Sequence, residues 1–174
     1  MARTALLIIA QKDYQDREYE RTRAELERGG LQITVASGEG GMCTGRFGGS
    51  VQNTLPLRQV KVEDYDLIAF IGGSGAEAYV HDAEALRIAN GAARADIVLG
   101  AICIAPLILA KARVLEGKKA TVWDDGRGTQ EGILTQAGAT VTGDSVTVDG
   151  RIVTGNGVEA AEEFGRTLME LLRL

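Results

Sequence analysis

The chain has 174 residues, 45% of them hydrophobic and 25% charged, an ordinary balance for one globular domain with a full core. Its formal net charge is −5 and its acidic and basic residues interleave, so no basic stripe offers itself to nucleic acid or to an anionic membrane. The longest apolar runs, such as residues 4–10, are too short to span a bilayer and the N-terminus lacks the apolar core of a secretory signal, which predicts a cytoplasmic protein whose two cysteines stay free.

The first unit is "TALLIIA", a continuous apolar run typical of a strand buried on both faces. The polar "QKDYQD" follows, then the helical pattern "REYERTRAELERGG", ended by Gly29 and Gly30. "LQITVAS" predicts a second strand of the same sheet, completing a βαβ opening. Residues 38–60 are rich in glycine and short extended pieces such as "GSVQNTLPL", which predicts a hairpin or excursion rather than a helix. A third buried strand, "DLIAFIGG", runs into the loop "SGAEAYVHD" and the helix "AEALRIANGAARA". A fourth, "IVLGAIC", runs directly into a helix starting near Pro106, a residue suited to a first turn because it has no N–H to lose there. A short strand "KATVW", a helical "GILTQAG", a hairpin "SVTVDGRIVTG" and the amphipathic "EAAEEFGRTLMELLRL" complete the chain. Strands alternating with helices predict an α/β fold with a doubly wound, mostly parallel sheet and helices on both faces.

Ligands of such sheets collect at the carboxyl ends of the strands, where helix N-termini supply unpaired N–H groups. Four strand ends here carry polar or glycine-rich loops, "QKDYQDRE", "GGSGAE", the turn at Cys103 and "WDDG", and they are expected to converge. Cys103 sits at a strand-to-helix turn. There the positive end of the helix favours a thiolate, and the following N–H groups can hold a developing oxyanion. A cysteine in an apolar run is otherwise a small core hydrophobe, and its place at the turn is what favours the nucleophile.

The segments "AICIAP", "FIGGSGAE", "ALLIIA" with a downstream Glu18, and "KKATVW" followed by "VTGNG" resemble the ThiJ/PfpI superfamily, whose members include intracellular peptidases and a protein deglycase. The resemblance covers the whole chain, residues 1–174, as one domain similar to class I glutamine amidotransferases, and it implies a flavodoxin-like fold. It further implies a nucleophile elbow at Cys103, an acidic residue at Glu18 touching the thiol, and an anion pocket made by the backbone N–H groups of Gly73 and Ile104. A glutamate beside a thiolate has its pKa raised by the like charge and by burial, so Glu18 is expected to donate to sulfur as a neutral acid and to shuttle a proton. Gly72, Glu77, Trp123 and Asn156 are candidate pocket or interface residues, Trp123 with the "DDG" after it forming one wall.

The chain departs from the superfamily where its peptidases place a histidine after the nucleophile, since Ile104 stands there, and where other members place one after the fifth strand, since Trp123 stands there. Glu77 matches a loop glutamate whose histidine is missing, so a Cys-His-Glu triad is not expected. The one histidine, His81, lies beside Asp82 at a helix start and is expected to be solvated unless a neighbouring subunit uses it. Cys43, in "GEGGMCTGRFGG", has no helix to activate it and is expected to be incidental, and "GGSG" lacks the G-x-G-x-x-G spacing of a dinucleotide fingerprint. One histidine and two distant cysteines supply no metal-ligand spacing, and no cofactor is expected.

Two classes of function remain. One is an enzyme using Cys103 on small reactive carbonyls or their adducts, glyoxalase- or deglycase-like, with Glu18 moving the proton. The other is a non-enzymatic redox-sensing or chaperone-like stress protein in which Cys103 is oxidised and Glu18 stabilises the product. A peptidase is a third reading, disfavoured by Ile104. The resemblance also implies a homo-oligomer, a dimer or something larger.

Overall fold

The computed structural model describes residues 3–174. Strand β1 (Thr4–Ile8) is followed by a short strand β2 (Lys12–Tyr14), helix α1 (Asp16–Arg28) and strand β3 (Gln32–Ser37). A hairpin of β4 (Gly41–Gly45) and β5 (Ser50–Pro56) leads to β6 (Leu67–Phe70), helix α2 (Ala83–Arg94), β7 (Val98–Ile102) and the short helix α3 (Pro106–Lys111). The chain then forms β8 (Lys119–Ala120), α4 (Thr129–Gln136), β9 (Thr140–Val141), the hairpin β10 (Val146–Asp149) and β11 (Ile152–Gly155), and α5 (Ala161–Leu172).

Among the described residues the main sheet has nine strands in the order β10-β11-β7-β6-β1-β3-β5-β4-β2. Its centre, from β11 to β5, is parallel, and the antiparallel pairs are the two hairpins, β10–β11 and β4–β5. This is the flavodoxin-like, mostly parallel α/β architecture that the alternating elements predict. Successive strand residues point to opposite faces, which is why the strands read as unbroken apolar runs. Leu6, Ile8, Ile68, Phe70, Leu99 and Ala101 pack toward α2, α3 and α4, while Leu7, Leu67, Ala69, Val98 and Ile102 pack toward α1 and α5. Fully buried side chains such as Phe70, Phe164 and Leu168 each contribute about 1.5–3 kcal/mol of transfer free energy to this two-faced core.

The chain leaves β1 toward β3 on one side and leaves β6 toward β7 on the other, so the switch point of the winding lies between β1 and β6. A crevice at their carboxyl ends follows from that topology. Three local expectations are corrected. The polar "QKDYQD" is not only a loop, since Lys12–Tyr14 pairs with β4 at the sheet edge. "SGAEAYVHD" is not an open loop, because Ser74–His81 is 3-10 helical. The strand predicted over "KATVW" is confined to Lys119–Ala120, and it pairs with β9 in a separate two-stranded sheet. Among the described residues no helix is long and apolar enough to cross a membrane.

Candidate active site

Cys103 follows β7 immediately and adopts φ of +64°, a left-handed conformation that costs an ordinary L-residue roughly 1–2 kcal/mol. The surroundings hold it there. The Cys103 N–H donates to the Gly155 carbonyl at 2.9 Å, and the Cys103 carbonyl accepts from the Trp123 N–H at 2.9 Å. These bonds on both sides of the residue over-determine a conformation that it would not adopt unaided. α3 begins three residues later, with Pro106 in its first turn as the sequence predicts.

Glu18 comes from the first turn of α1. Gln15 caps that helix, its Oε1 accepting from Arg17 N at 2.8 Å and Glu18 N at 3.2 Å. The Gln15 N–H in turn donates to the Gly72 carbonyl at 2.9 Å, which ties the start of α1 to the end of β6. Glu18 is 0% exposed. Its Oε1 accepts from the Gly72 N–H at 3.1 Å, and its buried Oε2 has no hydrogen-bond partner of favourable geometry. Gly72 stands between acid and thiol: a Cβ there would lie 2.5 Å from Cys103 Cβ, 2.6 Å from Glu18 Oε1 and 2.8 Å from the Ile102 carbonyl. Only glycine lets the two groups meet.

Burial pushes the Glu18 carboxyl up to about 7, against weaker lowering by the thiol and the Gly72 N–H. Burial also pushes the Cys103 thiol up to about 12, reinforced by the charge and hydrogen bond of Glu18, while the N–H groups of Gly73 and Ile104 pull it down. The helix end does not make the thiolate the favoured form, because α3 is only six residues long and burial together with Glu18 outweighs the two N–H groups. Below about pH 7 both groups are protonated, and above it Glu18 is ionised while the proton stays on sulfur. A thiolate forms as Glu18 takes that proton, and once Glu18 is neutral its charge no longer opposes the sulfur anion. The backbone N–H groups of Gly73 and Ile104 act on the sulfur to lower its pKa.

The thiol opens into a pocket of about 790 Å³. Of the candidate pocket or interface residues, Glu77, Trp123 and Asn156 line it, whereas Gly72 is buried behind it. Trp123 is 43% exposed and forms a wall, but the "DDG" segment does not. Asp124 turns away instead, accepting from the N–H groups of Gly126, Gly128, Gln130 and Glu131 at the start of α4, and these bonds depress its pKa. His81 is exposed and lines a different hollow beside Leu107, Lys111 and Glu116. No histidine lines the pocket around Cys103.

Sequence reasoning misses Arg46 and Phe47, which reach the pocket from the tip of the β4–β5 hairpin. Asp16 holds that tip, its carboxylate accepting from Phe47 N at 3.0 Å and Gly49 N at 2.7 Å. Gly45 and Gly49 have no room for a side chain beside this carboxylate. The glycine-rich tip next to a polar stretch was the available signal, but pairing across 30 residues is invisible to local patterns. Among the described residues no group of three or more His, Cys, Asp or Glu side chains is arranged to hold a metal.

The elbow, the buried acid and the sheet order together define a protein of the DJ-1/PfpI type. The model of the DJ-1/PfpI family matches residues 3–171, and the chain belongs to that family. An uncharacterised protein of Methanocaldococcus jannaschii is 32% identical over 168 residues, covering 96% of this chain and 81% of the relative. A ThiJ/PfpI domain protein from Brachyspira murdochii superimposes with a TM-score of 0.93 at 24% identity, covering 99% of this chain and 97% of the other, which speaks for the fold alone. Drosophila melanogaster DJ-1beta superimposes with a TM-score of 0.87 at 26% identity, covering 99% and 91%.

Proposed function

We propose that the protein is a cysteine-dependent enzyme of the glyoxalase or deglycase kind, acting in the cytoplasm on small reactive carbonyls or their adducts. One observation carries this reading: a fully buried carboxyl, which burial pushes up to about 7, is separated only by Gly72 from a thiol held on a left-handed turn that opens into the pocket. A general base is most effective when its pKa is near the working pH. In the first step Glu18 takes the Cys103 proton as sulfur bonds to an aldehyde carbon, and the carbonyl oxygen, held by the N–H groups of Gly73 and Ile104, receives that proton to give a hemithioacetal. With a 2-oxoaldehyde, Glu18 then removes the proton from the former aldehyde carbon and returns it to the neighbouring carbon. The first carbon is oxidised to a thioester while the ketone is reduced to an alcohol. Water cleaves the thioester to a 2-hydroxy acid and restores the thiol.

Peptide hydrolysis is disfavoured, since no histidine lines the pocket to protonate a departing amine. A second reading, redox sensing, is favoured by the unpartnered Oε2 of Glu18, which in the neutral acid is a donor available to a sulfinate oxygen on Cys103. Phe47, 67% exposed where it lines the pocket, and Met42, 59% exposed on the same hairpin, support a homo-oligomer that covers them. The experiment is turnover of methylglyoxal followed by lactate release. Lactate formed by the wild type and abolished in Cys103→Ser supports the enzyme; no lactate, with ready conversion of Cys103 to sulfinate by peroxide, supports the sensor.

A further inference from the structure

At the opposite end of the sheet from Cys103, a hollow of about 290 Å³ is lined by Arg94, Arg113, Lys118 and Arg151, with Asp96 the one acidic residue on its wall. The four cations come from four segments: the last turn of α2, the turn after α3, the approach to β8, and the turn into β11. None of them takes part in an ion pair among the described residues, although other arginines of this acidic chain do. Four like charges around one small concavity repel one another, and a protein of net charge −5 has acidic residues enough to have paired them.

A cation in the last turn of a helix complements the helix dipole, which accounts for Arg94 and for none of the other three. Arg151 is half-buried and its charge has no carboxylate partner among the described residues: its one side-chain hydrogen bond is a long one, from Nη1 to the Leu171 carbonyl at 3.5 Å. Guanidinium groups present a planar fork suited to the oxygens of phosphate, and Lys118 adds a point charge, its Nζ lying over Gly150.

We propose that this hollow is a binding site for a small polyphosphate, a diphosphate group either free or as the tail of a nucleotide. The volume accommodates a diphosphate and leaves the rest of a larger ligand outside. Asp96 disfavours a second anion on its side of the wall and orients the charge toward the arginines. The site is separate from the Cys103 pocket: it flanks the starts of β7 and β11, whereas Cys103 follows the end of β7, roughly 17 Å away along five strand residues. It therefore stands whether or not the protein turns over carbonyls.

The test is calorimetric titration of the full chain with pyrophosphate and, separately, with ADP, at about 0.15 M salt where diffuse surface attraction is screened. Saturable binding of both is expected, weakened about tenfold in Arg113→Gln and in Arg151→Gln, each of which removes one charge-assisted contact. Arg127→Gln, which removes an exposed arginine outside the hollow, should leave the affinity unchanged. Arg113 is exposed, so its variant decides the matter if Arg151→Gln folds poorly. Absence of pyrophosphate binding at millimolar concentration, or an equal loss in Arg113→Gln and Arg127→Gln, overturns the proposal.

Discussion

The two cysteines of this chain show how much of a thiol's chemistry is set by its backbone rather than by its neighbours in sequence. Cys43 lies in the extended strand β4, is 0% exposed, and sits 3.7 Å from both Thr54 Oγ1 and Gln11 Nε2. It packs into the core cluster on the α1 and α5 side of the sheet. Cys103 has a left-handed backbone, borders a pocket and lies beside a buried carboxyl that raises its pKa. Burial alone makes a thiol inert, whereas burial beside a carboxyl able to take its proton is what supports the nucleophile proposed for Cys103.

The comparison can be broken most sharply by exchanging sulfur for oxygen. In Cys103→Ser, turnover of methylglyoxal should fall by on the order of 10³-fold or more, because the hydroxyl is a far weaker nucleophile with Glu18 as its only base. Iodoacetamide followed by peptide mapping should likewise label Cys103 well before Cys43 in the native protein, and the reverse order would remove Cys103 from the site.

Next in size is Glu18→Gln, expected to lower turnover on the order of 10²–10⁴-fold as a lost general base. Removing the carboxylate charge should also lower the thiol pKa, read as thiolate absorbance against pH. The same variant carries a stability signature. Because the folded pKa of Glu18 is raised from 4.5 to about 7, its contribution is fully present below pH 4.5 and is lost as pH rises through about 7. The wild type should therefore lose about 2–3 kcal/mol between pH 5 and pH 8 that Glu18→Gln does not lose, measured by urea unfolding at both values. Parallel pH profiles would show that Glu18 is not a buried acid.

Asp16→Ala touches both regions, since the Asp16 carboxylate holds the hairpin that contains Cys43 and carries Arg46 and Phe47 into the pocket. Two backbone donors left without this charged acceptor should cost about 2–3 kcal/mol, and KM should rise severalfold with kcat little changed. A fall in kcat alone would mean that the tip takes part in chemistry rather than in binding. The smallest effect belongs to Cys43→Ala, about 1 kcal/mol in stability from the emptied volume, with turnover and Cys103 labelling unchanged.

Much of this molecule was legible from order and periodicity. Unbroken apolar runs at residues 4–10, 66–73 and 97–103, each followed by a polar or glycine-bearing loop and a helix, demand strands covered on both faces and place Cys103 at a strand end. Less legible was the reach of elements with weak local signal. The three residues of β2 and the two of β8 are strands only because a distant partner offers them hydrogen bonds, and "KATVW" has the propensity for a strand the main sheet does not take up.

The α/β class, the doubly wound, mostly parallel sheet and the place of Cys103 at a strand-to-helix turn were readable from the chain alone, because burial periodicity and turn chemistry are properties of neighbouring residues, whereas the flavodoxin-like winding and the partnership of Cys103 with Glu18 entered only through the family resemblance. Only the tertiary structure decided the charge state of that pair, since a pKa depends on how much water and which dipoles surround a group, and those come from α1, β6 and β7 meeting at Gly72. It alone also brought Arg46 and Phe47 to the pocket through Asp16, and gathered Arg94, Arg113, Lys118 and Arg151 from four segments around one hollow. Charge and dielectric act through space, and separation along the chain carries no record of them.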